Sequence, residues 1–220
     1  MNKVFTNKSW LILICLLLIP TLSRGQGSRY TGSYKKSAPL EFKNQKNLVI
    51  EGLEITNANG RAITLWSCEN IVIKNCKFKD VTTREAILAE RGKNIQIIDC
   101  SFENVYGAFK AVICEGGIKF EHNDVKNVFG DTQGGQVNLQ AVQLNKSSGA
   151  GNSISYNVIE NIEGKSSPDD NINIFFSHGT PESPIRVANN WIRGGGPSLS
   201  GGGILLGDYG GSYQIAENNI

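Results

Sequence analysis

Short stretches in which apolar and polar residues alternate recur along the chain at a nearly constant interval. Asn47-Leu-Val-Ile-Glu-Gly-Leu-Glu-Ile55 returns as Asn70-Ile-Val-Ile-Lys-Asn-Cys-Lys-Phe78 and as Asn94-Ile-Gln-Ile-Ile-Asp-Cys-Ser-Phe102. It returns again as Ile118-Lys-Phe-Glu-His-Asn-Asp-Val125, so that the spacings are 23, 24 and 23 residues. Looser copies stand at Ile154–Ile159, Val187–Ile192 and Ile215–Ile220. Alternation of this kind over a handful of positions is the period of a half-buried strand. A second apolar stretch lies between the copies, at Ala62–Trp66, Ala86–Glu90, Ala111–Glu115, Ala141–Asn145, Asn171–Phe175 and Gly203–Gly207. After residue 25 no stretch carries a helical period. The leucine and asparagine signature of a leucine-rich solenoid and the roughly 40-residue period of a propeller blade are both missing.

A coil of about 23 residues with two or three short strands resembles the right-handed parallel β-helix, the fold of pectate lyases and polygalacturonases. The resemblance covers nearly all of residues 40–220. It implies an all-β chain, a single solenoid of about seven visible coils over residues 47–220, with residues 26–46 as a polar lead-in carrying one irregular strand. The chain stops inside a copy, at Asn218-Asn219-Ile220, and the solenoid is expected to continue past it. Such a scaffold does not by itself define a reaction.

Aligning the copies places Leu53, Cys76, Cys100, Asn123, Asn157, Asn190 and Asn218 in one slot. An inward asparagine at a coil corner can bond the backbone of its own turn and the amide of the next, forming a ladder with every buried amide satisfied. Thiols fill the slot in the earlier coils. Cys76 and Cys100 would stand one coil apart, about 4.8 Å by strand spacing, with parallel Cβ vectors that suit a disulfide poorly. Cys68 follows its strand without matching Cys114, two coils away. Stacked buried thiols are expected, rather than a disulfide framework or a metal site.

Composition changes the picture mainly at the start. Lys3 and Lys8 precede the apolar run Trp10–Ile19, and Pro20 and Thr21–Gly25 follow it. This is the order of a secretory signal, with Ser23 and Gly25 placed for a cut before Gln26. The run falls short of the about 20 apolar residues a membrane span needs. Residues 1–25 are therefore expected to be a signal peptide, leaving a secreted or extracytoplasmic protein with no membrane span. The formal charge of +2 includes Lys3, Lys8 and Arg24; without them 19 basic residues face 20 acidic ones. That balance gives no footprint for nucleic acid. The solenoid is expected to act as a monomer.

Insertions interrupt the period at one corner. Phe129–Gln136, Glu163–Asp170 and Gly194–Gly203 each separate a copy from the second stretch that follows it. Loops stacked beside one face of a rigid scaffold are where function concentrates. The outward residues of the second stretches change in step, from Thr64, Leu88 and Ile113 to Gln143, Asn145, Asn173, Phe175 and Asp208. Amides interleaved with Phe175, Phe176 and Tyr209 suit a polysaccharide, which offers hydroxyls to bond and apolar faces to stack on. The plainer alternative is a solvated sheet with an aromatic patch. On the polysaccharide reading, Gln143, Asn145, Lys165, Asn173, Phe175 and Tyr209 are the expected substrate contacts.

Asp169-Asp170 directly precedes a second stretch, and Ser177-His178-Gly179 follows it. In order and spacing this resembles polygalacturonases, where paired aspartates before a strand supply the acid and the water-activating base of inverting hydrolysis. The resemblance implies Asp169 and Asp170 as the carboxylate pair, assisted by Asp208 or His178. The chain also departs from that family. Gln140-Ala-Val-Gln143 stands where the family has Asn-Thr-Asp, Gly194–Ser198 where it has a glycine-flanked histidine, and Arg186 belongs to a different strand. An Asp-Asp after Pro168 also makes an ordinary turn. A lyase would need a lysine or arginine base and often Ca²⁺. Lys146, Lys165 and Arg193 are the candidate bases, with Asp131, Asp169, Asp170 and Asp208 for the cation. His122 reads as structural or surface, and Gly201–Gly203 as a turn. Polysaccharide hydrolase, polysaccharide lyase and a non-catalytic adhesion solenoid recognising glycans or proteins all remain open, and Ca²⁺ enters only with the lyase.

Overall fold

A computed structural model describes residues 26–129, 140–195 and 201–220. The expected signal peptide lies outside the described residues, as do most of the insertion Phe129–Gln136, Asp131 with it, and residues 196–200. The described chain forms three parallel seven-stranded sheets, and no helix occurs among the described residues. Each coil gives one strand to each sheet. In coil two, Ile63–Trp66 joins what we term the groove sheet, Glu69–Lys74 the middle sheet and Lys77–Val81 the closing sheet.

The groove sheet stacks Leu40–Lys43, Ile63–Trp66, Ile87–Glu90, Phe109–Val112, Val142–Asn145, Ile172–His178 and Ile204–Ser212. Every strand pairs with its neighbours one coil above and below, as a parallel β-helix of seven coils requires. The solenoid begins inside the segment read as a lead-in, because Leu40–Lys43 pairs in register with Ile63–Trp66.

The strands break where the alternation of buried residues slips. Ile71 and Ile73 point inward, and the next inward residues are Cys76, Phe78 and then Val81. The slips fall at Asn75 and Asp80, whose φ values are 53° and 55°. One residue in the left-handed region turns the strand and returns the next side chain to the interior. Asn and Asp tolerate that conformation better than other residues with a side chain. What reads in sequence as one long first strand is therefore two, in different sheets.

The interior is a set of columns. Phe78 stacks on Phe102 with ring centroids 4.9 Å apart, and Phe102 on Phe120 at 5.7 Å. Full burial of each such side chain contributes roughly 1.5–3 kcal/mol. The asparagine ladder is present: Asn123, Asn157 and Asn190 accept from the backbone N–H of Cys100, Asn123 and Asn157 at 2.9, 2.9 and 3.0 Å. Its last member is Asn219, not Asn218. Asn219 accepts from the Asn190 N–H at 3.0 Å, while Asn218 occupies the left-handed corner with φ 53°.

The four cysteines of the described residues are free thiols, all buried. Burial pushes the Cys100 thiol well above its ordinary range and that of Cys114 up to about 11. The expected mismatch of Cys68 with Cys114 is not observed. Trp66 pairs with Glu90 and Glu90 with Val112, so Cys68, Gly92 and Cys114 share one column. The expected strand Ala111–Glu115 is in fact Phe109–Val112. Ala108 takes the place of Ala62 and Ala86, and Ala111 had imitated it three residues later.

Candidate functional site

With that register, the outward residues of the groove sheet form two columns. One runs through Thr64, Leu88, Lys110, Gln143, Asn173 and Leu205, the other through Trp66, Glu90, Val112, Asn145, Phe175 and Asp208. Ile113 belongs to neither, since it turns the exposed corner after its strand with φ 53°. Over coils four to seven these columns and the turn before Ile172 line a groove of about 790 Å³.

Asp170 lies at the corner of this groove and is 3% exposed. Its Oδ1 accepts from the Gly202 N–H at 2.8 Å, and its Oδ2 accepts from Asn173 Nδ2 at 2.9 Å. The same Nδ2 donates to Asp208 Oδ2, also at 2.9 Å. Asn173 Oδ1 in turn accepts from Gln143 Nε2, and Gln143 Oε1 from Asn145 Nδ2, both at 3.3 Å. A line of amides thus runs across two coils and ends on two carboxylates, Asp208 belonging to a third coil. Asp169 lines the groove beside them.

Two local features bring the carboxylates together. Gly201 lies so close to the turn that a Cβ there would run into the Asp169 carbonyl oxygen. The glycine run read as a plain turn is thereby what delivers the Gly202 N–H to Asp170. The second feature is a bulge. Ile174 pairs with Leu206 and Phe175 with Asp208, which leaves Gly207 as the extra residue, with φ 70°. Gln214 holds the bulge, accepting from the Gly207 N–H at 2.7 Å and donating to the Ser177 carbonyl at 2.8 Å. Bulges re-aim side chains beside functional sites; this one sets Asp208 over the groove.

Burial pushes the Asp170 carboxyl above the ordinary aspartate range, and the charges of Asp169 and Asp208 add to that. The donors Asn173 and Gly202 oppose the shift without cancelling it. Burial likewise holds the Lys110 ammonium below the ordinary lysine range, with Glu85 opposing and Arg61 assisting. At the mouth of the groove Phe175 and Tyr209 lean together, ring centroids 5.1 Å apart, with Tyr209 82% exposed.

The structure therefore gathers Gln143, Asn145, Asp169, Asp170, Asn173, Phe175, Asp208 and Tyr209 around one groove. Two expected members stand apart. His178 faces Ser212 of the next coil, with Nδ1 3.1 Å from its Oγ, because the strand runs on past the Phe175–Asp208 rung. Lys165 is exposed in the turn after Ile162 and does not line the groove. Of the other candidate bases, Lys146 is at an exposed corner, and Arg193 faces Glu160 at 3.5 Å on the closing sheet. The base that does line the groove, Lys110, was hidden by the three-residue misalignment at Ala111; taking Ala108 as the repeat position would have exposed it.

Among the described residues no three His, Cys, Asp or Glu side chains gather as a metal site, and no helix is long and apolar enough to cross a membrane. No curated protein matches the sequence. The model of the right-handed β-helix region matches residues 38–220. Seven coils in register, and a match running from the first groove strand to the last residue, make the chain a member of the right-handed β-helix family.

Proposed function

We propose that this is an exported protein that binds a polysaccharide along coils four to seven and hydrolyses it, with Asp170 as proton donor and Asp208 as the second carboxylate. The observation that carries the reading is the single Asn173 amide placed 2.9 Å from a carboxylate oxygen of each. A buried carboxyl among like charges keeps its proton more readily than an ordinary aspartate and can give it to a leaving glycosidic oxygen. The two oxygens share one nitrogen, so they are no farther apart than twice its 2.9 Å distance. The nearest oxygens of the pair therefore fall short of the about 6.5–9.5 Å that leaves room for a water. The pair thus supports retention, in place of the inverting chemistry that the polygalacturonase resemblance implies. Phe175 and Tyr209 supply the stacking face.

Lys110 favours a second reading. A lysine held neutral more readily by burial, in the same groove, is a base for β-elimination of a uronate. A screen of secreted protein against a polysaccharide panel, with and without Ca²⁺, separates the two. Hydrolysis gives new reducing ends without ultraviolet absorbance. Elimination gives both, and glycan retention without any release would leave a binding solenoid.

A further inference from the structure

Among the described residues, buried side-chain amides outside the groove are satisfied, as the Asn123, Asn157 and Asn190 ladder illustrates. Two oxygens of the groove are not. Gln140 occupies the corner one coil below Asp170 and is 6% exposed, and its Oε1 is buried with no hydrogen bond. Asp169 Oδ1 is buried and unpartnered as well. Both residues line the groove beside Asp170 and Asp208. The third such atom among the described residues, His122 Nδ1, is elsewhere, on a ring stacked against Tyr156.

A buried acceptor without a donor destabilises the free protein, so two of them in one groove mark where a ligand brings donors. We infer that Gln140 Oε1 and Asp169 Oδ1 accept hydrogen bonds from hydroxyl groups of the sugar unit seated beside Asp170, and that the protein thereby selects units whose hydroxyls are free. The inference rests on the polysaccharide reading above. On that reading the donors are the hydroxyls of the sugar unit, which can each give one hydrogen bond to a carbonyl or carboxylate oxygen. A unit with methylated or acylated hydroxyls brings no donors and leaves both oxygens unpaired, the kind of mismatch that polar sites reject most strongly.

The test uses Gln140→Met, which removes the acceptor at similar volume, and a hexasaccharide cut from the polysaccharide that wild type retains best. The variant is expected to melt about 2–4 °C higher and to bind the native hexasaccharide about five- to tenfold more weakly. Wild type and variant should bind the per-O-methylated hexasaccharide alike. Gln140→Glu keeps an acceptor oxygen and should hold native affinity within about twofold. Unchanged affinity in Gln140→Met, or a lower melting temperature with affinity that Gln140→Glu does not restore, overturns this subsite alone. Ca²⁺ raising the melting temperature of wild type but not of Gln140→Met also overturns it, because an ion would then satisfy the oxygens. A wild type that retains no polysaccharide overturns the parent reading too.

Discussion

Glu85 and Asp170 stand at the same corner of the solenoid, one before coil three and one before coil six, and are 6% and 3% exposed. Glu85 faces a guanidinium, with Arg61 Nε 2.9 Å from its Oε1. Asp170 receives only neutral donors, the Asn173 amide and the Gly202 N–H, and has two further carboxylates beside it. The first is an ion pair that ties two coils together. The second keeps its proton more readily than an ordinary aspartate. The two corners are in register, and the difference lies in what surrounds each carboxylate: Arg61 one coil below Glu85, against Asn173, Gly202 and the neighbouring Asp169 and Asp208 at Asp170. Equivalent corners of one solenoid thus hold an ion-paired carboxylate in one coil and a carboxylate that keeps its proton more readily in another, with the apolar interior untouched.

The largest expected difference is in turnover. Asp170→Asn should lower polysaccharide release by about 10²–10⁴-fold with glycan retention preserved, whereas Glu85→Gln should leave release unchanged. Gly201→Val comes next, since its side chain would meet the Asp169 carbonyl. A loss of about 1–3 kcal/mol in urea unfolding is expected, accompanied by reduced activity. For Glu85→Gln the effect appears in stability instead. Arg61 is left unpaired and partly buried, between the exposed and buried limits for ion pairs, so about 1–3 kcal/mol is expected in the same assay.

The pH dependence sharpens the contrast further. Asp170, with its pKa raised in the folded state, contributes stability that is full below the ordinary aspartate pKa and is lost as pH rises through the raised value. Asp99 behaves oppositely. Burial pushes its carboxyl up, but the bidentate contact with Arg29 and the Arg29 charge outweigh that and hold it below the ordinary range. Its contribution is present above the ordinary pKa and lost as pH falls through the lowered value. Above about pH 4, Asp170→Asn should therefore gain stability on wild type as pH rises through the raised value, whereas the deficit of Asp99→Asn should be constant there and shrink as pH falls below about 4. Thr64→Ala, outward in the groove sheet but far from the groove, should change stability by less than about 0.5 kcal/mol and activity not at all.

Much of this architecture is legible in the sequence because a solenoid repeats its inward pattern every coil. Cys76, Cys100, Asn123, Asn157 and Asn190 could be aligned without a structure. The errors arose where a second residue of the same type stood nearby. Ala111 imitated Ala108, which hid Lys110 and separated Cys68 from Cys114; Asn218 imitated Asn219. The carboxylates were legible as acids on a loop beside a sheet that turns polar. Their convergence was not, because it depends on the bulge at Gly207 and on the close approach of Gly201, neither of which leaves a periodic trace. Gln140 was visible only as the residue standing where a related family has another motif. Its unpaired oxygen is a property of three-dimensional packing alone.

The most direct test is a ¹³C NMR titration of the aspartate side-chain carboxyls in the folded protein, which needs no substrate. Asp170 is expected to titrate above the ordinary value of about 3.9, with its midpoint falling when Asp208→Asn removes one of the neighbouring charges. A midpoint for Asp170 at or below that ordinary value, unmoved by Asp208→Asn, would contradict the proton-donor role proposed for it.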